Sequence, residues 1–182
     1  MDHRPPGYGT TARVLHWLVA VLILAMILVG LVMVRDGLDR ALGDALYLFH
    51  KNVGTALIAL VALRLAWRLT HPPAPLPDSL PGWQRGAAAL SHLALYALLI
   101  VMPLSGYVRV RAGGFPIESL DALGLPRLVP RSEPLAEAAS ALHEAAAWAL
   151  IALLALHVAA ALHHAVIRRD GVWARIWPPR AR

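Results

Sequence analysis

Residues 142–164 read LHEAAAWALIALLALHVAAALHH, an apolar helix that carries histidines at 143, 157, 163 and 164. His143 and His157 are fourteen residues apart. That is nearly four turns, so both rings leave one face of the helix, about 21 Å apart along its axis. The distance is roughly two-thirds of the hydrocarbon thickness of a bilayer. One helix therefore offers an imidazole near each side of a membrane, and each can meet a histidine from another helix.

The rest of the composition agrees with a membrane setting. Of 182 residues, 58% are hydrophobic and 15% charged, with a mean hydropathy of +0.58. These values do not describe a water-soluble domain. The apolar residues gather into four runs, at about 14–34, 45–69, 87–108 and 141–167, each long enough for one span. A cleaved leader is not expected, because no small-residue cleavage site follows the first run and three more runs come later. Cysteine is absent. That excludes disulfides, iron–sulfur clusters, thiolate zinc and covalently attached haem, and leaves His, or less readily Met, to hold any metal. The net charge of +6 does not imply nucleic acid, since the arginines sit at segment ends and not in one patch.

Between the runs the chain is polar. Arg35–Asp44 read as a charged connection, and HPPAPLPDSLPG at 71–82 as a rigid extended linker whose prolines forbid helix. Pro103, late in the third run, is expected to bend the helix without ending it. Residues 109–134 read as a loop, and Pro134 suits the first turn of the fourth helix. Glu133, Glu137 and Glu144 put the opening of that helix partly outside the hydrocarbon. Trp173 and Trp177 in the basic tail suit interface anchors.

Charge sets the orientation. The N-terminus, the 71–82 connection with its flanks, and the C-terminal tail carry ten arginines (4, 13, 64, 68, 85, 168, 169, 175, 180 and 182) against Asp2, Asp78 and Asp170. The other side carries seven Arg or Lys against eight acids. The positive-inside rule then predicts an all-α, antiparallel four-helix transmembrane bundle with both termini cytoplasmic. Depth pairs His50 with His143 near the outer face and His16 with His157 near the inner face. Two such pairs suit two bis-histidine b haems, stacked across the membrane for electron transfer. Periodicity does not separate His157 from His164, which lies on the same face and nearer the depth of His16.

Arg64 and Arg68 lie at the inner depth of the second helix. They either reach haem propionates by charge-assisted bonds or snorkel to the interface. Gly54, one turn past His50, would let a porphyrin approach the backbone. His92 lies at the inner depth with an undecided role toward a propionate or a quinone. His3 and His71 read as ordinary interfacial residues. Arg109, Arg111, Arg127 and Arg131 either guide an anionic partner to the outer haem or simply face water.

Along essentially its whole length the chain resembles the bacterial cytochrome b561 family of small four-helix dihaem membrane proteins. The likeness rests on RVLHW at 13–17, HKNVGTALIALVALRLAWRL from His50, SHLALYALLIVMPLSGY at 91–107, LHEAAAWAL at 142–150 and LHVAAALHH at 156–164. The resemblance assigns the inner haem to His16 and His157, in preference to His164, and the outer haem to His50 and His143. It implies a multi-pass protein of the bacterial inner membrane, one dihaem domain over 1–182. Such a protein is a quinone-linked oxidoreductase that passes single electrons between the quinone pool and a periplasmic or small-molecule partner, as a homodimer among membrane lipid. Two other readings stand beside it. One is a haem-bearing anchor subunit of a larger periplasmic dehydrogenase or hydrogenase. The other is a histidine-liganded metal transporter without haem, which the lack of acidic or cysteine ligands inside the spans weakens. A zinc protease is poorer still, because HExxH does not occur.

Overall fold

The structure is a computed structural model describing residues 7–73, 75–76 and 80–177. His3, part of the 71–82 linker, and Asp2, Arg4, Asp78, Arg180 and Arg182 of the charge count lie outside them. Four long helices carry the chain: α1 Thr10–Met33, α2 Arg40–Thr70, α3 Gly82–Ala112 and, after a short α4 at Glu118–Ala122, α5 Glu133–Leu162. Each long helix has the length and apolar character to cross a membrane.

The helices outrun the apolar stretches that announce them. α2 starts at Arg40, five residues before its apolar run, because Asp39 caps it by accepting from the Leu42 amide at 3.1 Å. The connection from α1 is correspondingly shorter than Arg35–Asp44. α3 spans 31 residues against an apolar run of 87–108, so its Trp83–Arg85 turn and its Arg109–Ala112 end are helical as well. Pro103 withholds an amide from the Leu99 carbonyl, yet α3 continues through it. α5 opens with Ser132 accepting from the Leu135 amide and Pro134 in its first turn, as the proline placed it.

The end of α5 differs from expectation. At His163 the helix widens into a π turn through Arg168 and is closed by Arg169 at φ 51, a left-handed conformation unusual for a side-chain-bearing residue. Local bonds hold that reversal: the Arg169 amide donates to the His164 carbonyl at 2.8 Å, and Asp170 binds His164 Nδ1 at 2.6 Å and Arg168 Nε at 3.3 Å.

The segments flanking the outermost helices meet at one end of the bundle, the terminal end. The Tyr8 amide donates to the Arg175 carbonyl at 2.9 Å, Trp17 Nε1 donates to the Ile176 carbonyl, and Trp17 meets Trp173 and Trp177 edge to face. At the other end, the loop end, α4 is fastened down. Arg111, 3% exposed, donates two bonds to Asp121, and Ile117 is fully buried.

α5 packs along α3, α3 along α2, and α2 along α1; α5 is not packed along α2 or α1 in the same way. The space among them is filled at mid-height by Val19, Ile23 and Met26 of α1, Leu57 of α2 and Leu150 of α5. Leu24, Leu28, Leu63, Leu90, Leu93 and Leu156 point outward and are more than half exposed, as lipid-facing residues are.

The loop end has a predictable acid response. Two bonds from Arg111 hold the Asp121 carboxyl below its ordinary value against an opposing burial effect. A depressed folded pKa means the pairing contributes fully above the unfolded pKa and is lost as pH falls through the folded one. Amide exchange of 118–123, corrected for intrinsic rates, should be flat from about pH 7 to about pH 5 and rise only below about pH 4. A rise already between pH 7 and 5 would contradict this anchoring.

Candidate functional site

A common register runs through the four long helices. His16 and Gly30 on α1, His50 and Arg64 on α2, His92 and Gly106 on α3, and His143 and His157 on α5 are each fourteen residues apart. Each pair spans about 21 Å of helix rise. Contacts assign the members to two levels. Toward the loop end lie Gly30, His50, Gly106 and His143; toward the terminal end lie His16, Arg64, His92 and His157.

At the loop-end level the His50 and His143 rings meet edge to face, with centroids 6.3 Å apart and planes crossed at 79°. A metal–imidazole bond is about 2 Å, so two imidazoles on opposite sides of one metal have centroids roughly 6 Å apart. Both rings are seated against glycine. A Cβ on Gly30 would lie 3.2 Å from His50 Cε1, and one on Gly106 would lie 3.1 Å from His143 Cε1. His50 Nδ1 is buried without a hydrogen-bond partner. His143 Nδ1 lies 3.0 Å from the Met102 carbonyl and 3.1 Å from Ser105 Oγ, and Ser105 itself donates to Met102. A carbonyl only accepts, so His143 donates from Nδ1, and the neutral ring keeps the lone pair of Nε2 for a metal.

At the terminal-end level the contacts run differently. Arg64 donates to His16 Nδ1 at 3.1 Å and lies over the Tyr96 ring at 5.7 Å, while His157 meets His92 with centroids 5.7 Å apart. No direct His16–His157 ring contact occurs among the described residues. Arg68 donates to the Tyr8 hydroxyl at 3.2 Å. Gly54 faces α1, where a Cβ would meet the Met26 methyl at 3.3 Å. His164 is engaged with Asp170, and His71 stacks on Trp67 at the end of α2.

At the loop-end level these side chains fit haem b. Among the described residues no three His, Asp or Glu side chains converge as a metal site. Haem iron needs only two protein ligands, since the porphyrin occupies the other four positions. Opposed histidines flanked by glycines, with one ring nitrogen fixed by a backbone carbonyl, suit a flat macrocycle between helices.

Several participants escape a reading by residue type. Gly30 and Gly106 are marked only by their fourteen-residue distance from His16 and His92. Ser105 and Met102 act through a hydroxyl and a carbonyl that no pattern flags. Lys51 and Asn52, directly after His50, bind Glu118 of α4 at 2.7 and 2.8 Å.

Taken together, this is a four-helix membrane protein with two histidine levels separated by a packed aliphatic layer. The model of the prokaryotic cytochrome b561 family matches residues 7–179, and the chain belongs to that family. It is 34% identical over 177 residues to "Cytochrome b561 homolog 2" of Escherichia coli K12, covering 94% of this chain and 92% of that protein. "Cytochrome b561 homolog 1" of the same strain is 29% identical over 179 residues, 95% and 98% of the two chains. A Yersinia pestis protein called "Probable superoxide oxidase CybB" is 27% identical over 170 residues, 91% and 93% of the two. Membership and the four spans place the chain in the bacterial inner membrane as a multi-pass protein with the family's general role in transmembrane electron transfer.

Proposed function

We propose that the chain carries single electrons through two non-covalent b haems within one domain, one at each histidine level. His50 and His143 hold the haem nearer the loop end, and His16 and His157 the one nearer the terminal end. The observation that carries this reading is the pair of opposed rings, His50 and His143, at 6.3 Å, on helices whose second polar level lies fourteen residues away. Haem b, when bound by these histidines, would supply one-electron carriage.

The chain's own residues do the rest. The Met102 carbonyl and Ser105 fix the tautomer and the orientation of the His143 ring. The aliphatic layer of Val19, Ile23, Met26, Leu57 and Leu150 keeps water out between the levels. Arg64 and Arg68, the cations of the terminal-end half of α2, pair with propionates by charge-assisted bonds. Gly54 allows close approach of a macrocycle to α2. With the positive side inward, the terminal end is cytoplasmic and successive spans alternate in direction. A quinol or quinone exchanges electrons at one level, and a periplasmic partner or small redox species at the other. Superoxide, which the name of the Yersinia relative mentions, is such a species, and Arg127 and Arg131 on the exposed loop would draw in an anion of that kind. A homodimer is the expected assembly.

Reduction by a short-chain ubiquinol under argon tests the quinone link. Both haem bands should become reduced, and the His16→Ala protein should retain only the band of the other level. Wild-type protein that keeps two oxidised haems under excess quinol would contradict quinone exchange while leaving electron carriage standing.

A further inference from the structure

The loop-end histidines sit on two helices, α2 and α5, that are not packed along each other. α2 packs along α3, and the turn that carries His50 is tied in addition to α4, in the loop between α3 and α5. Immediately after His50, Lys51 Nζ donates to Glu118 Oε1 at 2.7 Å and to the Pro116 carbonyl at 3.0 Å. Asn52 Nδ2 donates to Glu118 Oε2 at 2.8 Å, and Asn52 Oδ1 accepts from the Ser119 amide at 2.7 Å. Both carboxylate oxygens of Glu118 and both ends of the Asn52 amide are thus used across one junction. α4 is held to α3 as well, by Arg111 on Asp121, and the end of the loop by the Ser132 amide donating to the Ala112 carbonyl at 2.9 Å.

We propose that Glu118 is a positioning residue for His50: it latches α4 onto the two residues that follow the ligand and so fixes the His50 ring opposite His143. This rests on the reading of those two histidines as ligands of one haem. Bonds on the side chains of residues i+1 and i+2 restrain rotation and tilt of the helical turn that carries residue i. Burial pushes the Glu118 carboxyl up, but the Lys51 and Asn52 bonds outweigh it and hold it below its ordinary value, so the latch is charged at neutral pH. Glutamine is nearly isosteric with Glu118 and can still accept from Lys51, but its amide nitrogen cannot accept from Asn52.

The test uses the full chain in detergent and two readouts. One is carbon monoxide binding to the dithionite-reduced protein, which a haem with both axial histidines in place resists. The other is trypsin cleavage after the exposed Arg127 and Arg131, which reports loop anchoring without reference to haem. Glu118→Ala should raise the carbon monoxide-reactive fraction about tenfold over wild type, up to one haem of the two, and speed cleavage. Glu118→Gln should fall between, and Asn52→Ala should match it spectrally. Asp121→Asn should speed cleavage but change carbon monoxide reactivity less than Glu118→Ala does, because the bonds from Glu118 to Lys51 and Asn52 stay in place. Faster cleavage with a wild-type spectrum in Glu118→Ala would overturn the positioning role, and no change in either readout would overturn the latch itself. A wild-type protein without haem would instead overturn the underlying reading, and this role with it.

Discussion

His50→Ala and His143→Ala proteins should each retain one haem of two, and it should be the same one. Their reduced spectra should superimpose, and the double variant should look like either single one. His16→Ala and His157→Ala should give the complementary spectrum. The effect is all-or-none for a level because an iron with one protein ligand loses both affinity and its low-spin state, and because the opposite level lies about 21 Å of helix away. The intervening Leu57 and Leu150, 3% and 2% exposed, keep the levels mechanically separate. His92→Ala is the informative companion at the terminal-end level. Its ring lies against that of His157, so it should perturb only the spectrum that His16→Ala removes. Haem quantified by pyridine extraction, with the reduced-minus-oxidised spectrum of each variant, reads the pattern. A pattern in which His50→Ala and His143→Ala removed different haems would break the pairing.

The second large effect comes from residues that ligate nothing. Gly106→Leu and Gly30→Leu should each weaken binding of the loop-end haem with all four ligand histidines intact. A Cβ at Gly106 already lies 3.1 Å from His143 Cε1 and 3.3 Å from Nδ1, and one at Gly30 lies 3.2 Å from His50 Cε1. A Cβ alone already crowds the ring, so the larger leucine side chain should push the imidazole away from its partner. Loss of ligand orientation of this kind lowers affinity by about ten- to a hundredfold. Gly54→Leu should do less, since its neighbour is the flexible methyl of Met26, and Gly86→Leu should do nothing, since no atom lies within 4 Å of its Cβ. Titration of the purified variants with haemin, followed by absorbance, measures the affinities directly. Equal affinities for Gly106→Leu and Gly86→Leu would show that the glycine seat has no part in binding.

Much of this architecture is legible in the sequence, and the limits have physical causes. Hydropathy found all four long helices because a bilayer span needs a long apolar run. It misplaced their ends because it measures the hydrocarbon, while the ends are set by caps such as Asp39 and Ser132 and by polar turns such as Trp83–Arg85. α4, five residues long, is too short for any periodic signal, and its position depends on Glu118 finding Lys51 and Asn52 across the fold. The π turn at His163–Arg168 depends on Asp170 reaching back to His164, which spacing does not announce. Among site residues, fourteen-residue spacing on one helix suggested two levels, and the structure brings the His50 and His143 ring centroids to 6.3 Å. The same spacing marks Gly30 and Gly106, but a glycine carries no chemistry to draw attention to it. His92 could be placed at a depth but not beside a partner, because helix neighbours are a tertiary property. The structure sets it against His157.

The central claim, two haems held by histidine pairs at two levels, is tested most directly on the unaltered protein. Chain concentration, pyridine-extracted haem and the low-temperature electron paramagnetic resonance spectrum should be measured on one detergent-purified sample. Two b haems per chain are expected, both low-spin with paired histidine ligands. One haem per chain, a high-spin signal from either, or a folded colourless protein from haem-replete cells would contradict it.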